Sequence, residues 1–330
     1  MSFSRFCASL LSVALMFSAA PSARAAHEAH TEPKIQVGIV LFDGVQIIDF
    51  SGPYEVFGAA GFGVTTLSVD GKPVTTAMGL KVTPDLAFAA APAFDVLLVP
   101  GGDVGDASKD PRILEFVRAR TKGAKAVLSV CTGAAIAAAS GVLDGLKATT
   151  FKPYLDKFAK DFPKVNVVRD VRWVDNGTVI TAAGLASGID GALHVVARLR
   201  GVEVARSTAV RLEYDWKPEG GFVRSLLADR YLPNLNDVRW PADAKFEDRY
   251  AYGDRDQWRA RILVRAATKP KDLLALIAAR MEQAPGWKKD AAGAVWHAQQ
   301  EGRSVRLAFT TEGDGADGKG YLLDVALDAQ

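Results

Sequence analysis

Cys131 lies where an apolar run gives way to a stretch of small residues. Residues 126–130 predict a buried strand and residues 134–140 a helix, so the thiol would sit at the apex of a sharp strand-to-helix turn. A helix N-terminus carries positive partial charge, which favours the nucleophilic thiolate over the thiol. We therefore expect a lowered thiol pKa. The alternative is a buried cysteine that packs as a small apolar side chain.

A carboxyl group lies at the same predicted edge of the sheet as this cysteine. Asp49 is flanked by apolar residues and follows the first predicted strand, residues 35–42. Apolar surroundings keep a carboxyl group protonated or ready to exchange a proton. Beside a thiol, Asp49 would act as a general acid or base. The alternative is that it caps a helix beginning near Ser51, although Ser51 is itself better placed as that cap.

Backbone donors are predicted close to the thiol. Gly101 and Gly102 follow an apolar strand, and Gly184 follows another, so we assign all three to oxyanion or substrate binding. A Gly-Gly pair after a strand is also a common turn. Thr132 has two equally plausible roles: its hydroxyl would contact substrate or water, or it would cap the following helix.

A histidine base is not predicted at this site. His194 lies about two turns into an apolar helix, where a packed side chain is the more common role. This position argues against a Cys-His dyad. We predict neither a metal nor a cofactor.

The surrounding elements predict an α/β fold with a mostly parallel central sheet. Strands alternate with helices across residues 35–231, as in a parallel α/β sandwich. Residues 232–246 contain prolines, asparagines and a tryptophan, and we interpret them as a linker. Residues 247–330 lose the alternation and predict a small α+β domain.

The first residues have the pattern of a secretory signal peptide. Arg5 precedes an apolar stretch, residues 6–20, and a small-x-small cleavage site occupies residues 23–25. Residues 1–25 would be removed together with Cys7, and residues 26–34 would form a disordered leader. We therefore expect a periplasmic protein without a membrane anchor after cleavage. An uncleaved anchor is the alternative.

Charge composition excludes one class of partner. The chain has 40 basic and 38 acidic residues and no long block of like charge. This balance gives no basic surface for nucleic acid or an anionic membrane. The expected partner is a small molecule.

Several motifs together resemble the DJ-1/PfpI superfamily, whose domains are similar to class I glutamine amidotransferases. The resemblance covers roughly residues 35–224 and is closest to the branch of isonitrile hydratases and ligand domains of AraC-type regulators. The motifs that carry it are residues 49–57, 95–102, 131–134, 187–194 and 213–215.

The resemblance implies a flavodoxin-like sandwich, often dimeric, with the cysteine on a nucleophile elbow. It places the roles of the isonitrile hydratase site on Asp49, Cys131 and Thr132. Cys131 would attack the isonitrile carbon, and Asp49 would handle protons as water adds to give an N-substituted formamide.

The sequence departs from family patterns at three places. Thr132 replaces the histidine that follows the cysteine in protease-like members, and Phe151 stands where many relatives carry histidine. The C-terminal part also differs from the DNA-binding domain of the regulators, and export would exclude a conventional role in transcription.

Three functions remain open from the sequence. The first is a cysteine-dependent hydratase or hydrolase of small molecules, and the second is a binding or sensing domain without turnover. The third is glyoxalase- or deglycase-like handling of reactive carbonyls, which needs a glutamate or histidine partner that the sequence does not place.

Overall fold

The computed structural model describes residues 34–218, 223–235, 237–291, 293–314 and 320–330. The predicted signal peptide and the first eight residues of the predicted leader lie outside these described residues. None of the helices in the described part has both the length and the apolar composition that crossing a bilayer requires.

Strands and helices alternate through the first part of the chain. The strands are β1 (Gln36–Val40), β2 (Gly63–Ser68), β3 (Val74–Thr75), β4 (Lys81–Val82), β5 (Leu86–Ala87), β6 (Val96–Val99), β7 (Ala126–Val130), β8 (Lys147–Ala148), β9 (Asn166–Val167), β10 (Trp173–Asp175) and β11 (Val179–Ala182). The helices are α1 (Ile47–Ala59), α2 (Pro111–Thr121), α3 (Gly133–Ala139), α4 (Leu155–Asp161), α5 (Ala186–Arg200) and α6 (Val202–Arg211).

A seven-stranded sheet forms the centre of this region, in the order β10-β11-β7-β6-β1-β2-β5. All neighbours pair in parallel except β10, which is antiparallel to β11. The residues of β6, β7 and β11 are buried throughout. Helices cover both faces of a parallel sheet, which is why its inner strands are continuous apolar runs. The predicted flavodoxin-like α/β fold is confirmed.

Helix α1 begins earlier than the sequence suggested. We expected its start near Ser51 because proline is favoured in a first helical turn, but Pro53 lies in the helix interior and the helix begins at Ile47. The helix tolerates Pro53 because proline removes only one backbone donor. Its start at Ile47 is set by the preceding turn, which is fixed by the pairing of Val45 with Gly102. Asp49 therefore lies in the first turn of α1, where a helix favours negative charge.

Two helix ends differ from the prediction because non-glycine residues adopt positive φ. The sequence pattern predicts one helix capped by Ser187 and another over residues 204–214. Helix α5 instead follows Leu185, with φ 53° and ψ −122°, so that Ser187 lies inside the helix. Helix α6 ends at Arg211, and Glu213 has φ 52°. The Tyr214 N–H then donates to the Ala209 carbonyl, which closes the helix end.

The second region is sheet-rich, as predicted. It contains α7 (Val223–Leu226), β12 (Lys245–Gly253), β13 (Gln257–Arg265), α8 (Pro270–Met281), β14 (Lys288–Lys289), β15 (Val295–Gln300), β16 (Arg303–Glu312) and β17 (Tyr321–Ala329). Its six strands form an antiparallel sheet in the order β12-β13-β17-β16-β15-β14. Leu273, Ile277 and Met281 recur every four residues on α8 and are buried in a core separate from the first one.

The segment interpreted as a linker is packed instead of free. Leu232, Leu235 and Trp240 contact the second core, and Ala228 and Tyr231, which we assigned to the first domain, are buried in it. Apolar side chains favour burial over solvent exposure, so they draw this segment onto the neighbouring sheet. Strand β12 begins within the last two residues of the expected linker and was not predicted.

Candidate active site

Cys131 sits at the turn between β7 and α3 in a strained conformation. Its φ is 57°, in the left-handed region, which costs a non-glycine residue about 1–3 kcal/mol. Two contacts hold the turn: the Cys131 N–H donates to the Ala182 carbonyl at 3.0 Å, and the Thr150 hydroxyl donates to the Cys131 carbonyl at 2.7 Å. The residue is 6% exposed. The predicted strand-turn-helix geometry is therefore present, with the thiol almost enclosed.

Asp49 brings a carboxyl group to this thiol from the first turn of α1. The residue is fully buried, and its Oδ1 accepts a hydrogen bond from the Leu185 N–H at 3.1 Å. Within the described residues, its Oδ2 has no hydrogen-bond partner of good geometry. The Cys131 thiol and the Gly101 N–H lie close enough to favour the charged form of the carboxyl. The structure thus places Asp49 against Cys131, as the sequence suggested.

Burial controls the ionisation of both groups. Burial raises the pKa of Asp49, against the opposing effect of the Leu185 N–H, the Cys131 thiol and the Gly101 N–H. Burial, followed by the charge of Asp49, raises the pKa of the Cys131 thiol to about 12, although the Thr132 N–H favours the thiolate. The expectation of a lowered thiol pKa is therefore wrong. One turn of a seven-residue helix does not outweigh desolvation and a neighbouring carboxylate.

The pair can exchange a single proton. Two negative charges this close in a buried site repel each other strongly, so a carboxylate and a thiolate do not coexist there at neutral pH. The thiol holds its proton at neutral pH, because its pKa is raised to about 12. A carboxyl group beside such a thiol can exchange a proton with it, which is the arrangement that general acid–base activation of a nucleophile requires.

The Thr132 hydroxyl is engaged by the backbone of Gly102. It accepts from the Gly102 N–H at 2.9 Å and donates to the Gly102 carbonyl at 2.8 Å. It makes no capping bond to α3. The expectation that Gly102 offers a free N–H to an oxyanion is therefore corrected, because Thr132 already takes it. The Gly101 N–H lowers the pKa of Asp49 and so favours its charged form.

We expect Thr132→Val to lower stability by about 1–2 kcal/mol, because both polar groups of the Gly102 backbone lose their partner. Thr132→Ser keeps the hydroxyl and should retain most of the stability. Thermal melting of the two variants tests this. If Thr132→Val melted like the wild type and only substrate affinity fell, the hydroxyl would instead serve the substrate.

Gly184 lies against Cys131, and Leu185 lies against Asp49. Gly184 has φ 113°, and a Cβ there would lie 2.7 Å from the Cys131 Cβ and 3.0 Å from its Sγ. Only glycine allows this approach. The predicted binding residue Gly184 is thus in contact with the cysteine. The Leu185 N–H was missed, because nothing in the sequence marks a leucine at positive φ as the donor to Asp49.

His194 does not join this group. Its Nε2 lies 2.8 Å from the Asp175 carboxylate, and its ring stacks on Trp173 at 5.1 Å. The packed role predicted for it therefore agrees with the structure. Phe151 is partly buried against the first core. In the part of the chain that the structure describes, no His, Cys, Asp and Glu side chains are grouped in a way that would hold a metal.

The sequence profile of the DJ-1/PfpI family matches residues 35–198. An isonitrile hydratase of Pseudomonas putida is 38% identical over 184 residues, which is 54% of this chain and 78% of that protein. The profile match covers the seven-stranded sheet, the Cys131 turn and helix α1.

Two further relatives extend the comparison. The HTH-type transcriptional regulator GbdR of Pseudomonas aeruginosa is 27% identical, over 54% of this chain and 50% of the regulator. The crystal structure of a ThiJ/PfpI family protein from Pseudomonas syringae superposes with a TM-score of 0.52 and 32% identity. It covers 57% of this chain and 78% of that one. Both an enzyme and a regulator are thus similar to this chain.

Proposed function

Because this chain belongs to the DJ-1/PfpI family, we propose that it is a cysteine-dependent hydratase of small molecules, similar to isonitrile hydratase. In this proposal the protein is exported, acts as a homodimer and uses Cys131 as nucleophile and Asp49 as acid and base. Thr132 shapes the backbone beside them.

The observation that carries this proposal is a buried carboxyl group directly against a buried thiol. Asp49 is fully buried and Cys131 is 6% exposed. The isonitrile carbon is terminal and lies on a linear group, so it reaches an enclosed sulfur more easily than a branched carbonyl carbon does. Asp49 is the proton acceptor of the site, and each step of isonitrile hydration needs the transfer of a single proton.

In the first half of the proposed reaction, Sγ of Cys131 forms a bond to the isonitrile carbon. Asp49 accepts the thiol proton as the bond forms and then delivers it to that carbon. The product is a covalent thioimidate, R–N=CH–S, on Cys131. Proton transfer during attack suits a thiol whose pKa is raised to about 12, because no free thiolate needs to accumulate.

In the second half, water adds to the thioimidate carbon. Asp49 takes a proton from the water and passes it to the nitrogen, which gives the tetrahedral intermediate R–NH–CH(OH)–S. The C–S bond then breaks as the carbonyl forms, and Asp49 carries the hydroxyl proton to the leaving sulfur. The sum is R–NC plus water giving R–NH–CHO, with Cys131 and Asp49 restored. The Thr132 N–H favours negative charge on the Cys131 sulfur as the C–S bond breaks.

Turnover of simple isonitriles tests the proposed function. Purified protein is incubated with alkyl and aryl isonitriles, and the N-substituted formamide is identified by mass spectrometry and NMR. Formation of the formamide with incorporation of one oxygen from labelled water supports the proposal. Absence of product from a folded protein across the series contradicts it.

A binding or sensing role is the second candidate, and one observation favours it. Burial and Asp49 raise the pKa of Cys131, so the resting thiol is weakly nucleophilic. Regulators such as GbdR are similar to this chain. A protein that binds a small molecule saturably without changing it would support this role over catalysis.

A glyoxalase- or deglycase-like reaction is supported less. It was expected to need a glutamate or histidine beside the thiol. The structure places Asp49 there, and His194 is bound to Asp175. Product identification separates this reaction from hydration, because a dicarbonyl substrate would give a hydroxy acid instead of a formamide.

Export makes a separate prediction. We propose that residues 1–25 are removed on secretion to the periplasm, as the small-x-small site suggests. Intact-mass measurement of the protein from the periplasmic fraction is expected to give an N-terminus at Ala26 or His27. A mature protein that keeps Met1 would contradict export by this route.

A further inference from the structure

The loop that holds Asp49 is itself strained and held in place from outside the site. Residues 183–186 connect β11 to α5, and Leu185 within them has φ 53° and ψ −122°. This conformation aims the Leu185 N–H at Asp49 Oδ1, at 3.1 Å. A leucine adopts such a conformation only when its surroundings hold it there.

Two contacts fix the loop on either side of Leu185. The Ala183 N–H donates to the Arg172 carbonyl at 2.8 Å. The Tyr214 hydroxyl lies 3.4 Å from the Ala186 carbonyl oxygen. Arg172 precedes β10 and Tyr214 follows α6, so the loop is held by two elements that are remote in sequence.

Both elements meet at Asp190 on α5, which forms a buried ion pair with Arg172. An Arg172 guanidinium nitrogen lies 3.0 Å from the Asp190 carboxylate on α5, and the two side chains are 12% and 7% exposed. The Tyr214 hydroxyl also lies beside the Asp190 carboxylate. Positive φ at Glu213 ends α6 and turns the chain so that Tyr214 reaches α5.

We propose that Arg172, Asp190 and Tyr214 are positioning residues that brace loop 183–186, so that the Leu185 N–H stays directed at Asp49. This inference rests on the proposed function, in which Asp49 is the proton acceptor of Cys131. The three residues act through the loop: the Arg172 carbonyl and the Tyr214 hydroxyl contact it directly, and Asp190 joins the Arg172 and Tyr214 side chains.

Release of the loop has a defined electrostatic consequence. The Leu185 N–H is the strongest of the contacts that lower the pKa of Asp49. Losing it would raise that pKa further, so Asp49 would accept the thiol proton only at higher pH. The titratable group that faces Asp49 is Cys131. The groups that face Asp190 are Arg172 and Tyr214. Asp215 in turn acts on Tyr214. Burial raises the pKa of Tyr214 to about 12, so Tyr214 does not titrate near neutrality.

The test uses Tyr214→Phe and Asp190→Asn in the full chain. We expect the acid limb of the pH profile to move up by about 0.5–1 pH unit, both for formamide formation and for alkylation of Cys131 by iodoacetamide. On that limb, the rate would fall about 3–10-fold while the alkaline plateau is retained. A merely structural role would lower the amount of active protein without moving the midpoint.

His194→Gln is the matched control. His194 lies on the same helix as Asp190, and the substitution breaks a side-chain hydrogen bond of similar length, to Asp175, outside the loop. Its profile is expected to match the wild type. Absence of isonitrile turnover would contradict the proposed function. Alkylation of Cys131 does not depend on the identity of the substrate, so its pH midpoint would still test whether Arg172, Asp190 and Tyr214 position the loop.

Three outcomes would overturn the inference. The first is an unchanged midpoint in both folded variants, and the second is an equal shift in His194→Gln. The third is loss of cooperative melting in both Tyr214→Phe and Asp190→Asn, which would make these residues part of the general core. A shift in either brace variant alone, with a normal melting curve and an unshifted control, supports it.

Discussion

Cys131→Ser is expected to reduce formamide formation by about 10⁴-fold or more, because a neutral hydroxyl is a much weaker nucleophile than the activated thiol. The fold should be kept, since serine is nearly the same size and its hydroxyl can donate to Asp49. Initial rates and thermal melting on the same preparation measure both effects. Protein that lacks residues 1–25 should also lose cysteine labelling by iodoacetamide in this variant, because Cys7 is then absent and Cys131 is the remaining cysteine.

Ligand binding by this variant separates the leading functions. An enzyme that loses turnover but still binds an isonitrile shows that the thiol acts in chemistry and not in recognition. Persistent turnover in Cys131→Ser, at a rate near that of the wild type, would exclude the cysteine mechanism. Saturable binding by both proteins without product from either would favour the sensing role.

Asp49→Asn is expected to lower turnover by about 10²–10⁴-fold, because an amide cannot accept the thiol proton. The alkaline limb of Cys131 alkylation should move to lower pH, since the carboxylate that helps raise the thiol pKa to about 12 is gone. At neutral pH, alkylation should slow because the base is missing. Slower alkylation at neutral pH together with a lower midpoint on the alkaline limb distinguishes the loss of a base from general damage to the site.

Stability should respond differently from activity in this variant. The folded-state pKa of Asp49 is raised above 3.8, the ordinary value of an aspartate carboxyl, so the folded state holds this proton more tightly than the unfolded chain. The free energy of unfolding therefore falls as pH rises from the pKa of Asp49 in the unfolded chain to its pKa in the folded protein. At pH 7 the Asp49 carboxyl group lowers the stability of the folded state. Asp49→Asn should melt no lower than the wild type at pH 7.

Asp43→Asn is the matched control for this prediction. Asp43 follows β1 at the same edge of the sheet, but its carboxylate accepts from the Thr75 N–H at 2.7 Å and is exposed. We expect a near-normal rate and an unchanged alkylation profile. Near-normal turnover in Asp49→Asn, alongside an inactive Cys131→Ser, would show that the thiol has another partner.

Local sequence patterns were enough for the class of fold and for much of the site. Continuous apolar runs predicted β6, β7 and β11. Asp110-Pro111 is a helix-start pattern, and α2 begins there with the Asp110 side chain as its cap. These signals are short-range, because burial on both faces of a parallel strand and a proline at a helix start each leave a pattern within a few residues. The elbow at Cys131 and the nearness of Asp49 followed from the order of such elements.

Helix ends were less predictable where a leucine or a glutamate adopts positive φ. Leu185 and Glu213 carry no turn signature in the sequence, since glycine and asparagine are the usual residues in that conformation. Their conformations depend on contacts made after the chain has folded. The start of α5 and the end of α6 were therefore displaced from their predicted positions.

The sequence by itself determined which residues meet at the sheet edge: Asp49, Cys131, Thr132 and the glycines that allow close approach. The tertiary structure decided how each polar group is used. The bond from Leu185 to Asp49 spans 136 positions and the bonds between Thr132 and Gly102 span 30, so no local pattern encodes them. The direction of the Cys131 pKa was decided in the same way, because desolvation depends on everything packed around a group, whereas the helix N-terminus that favoured a thiolate is visible within a few residues.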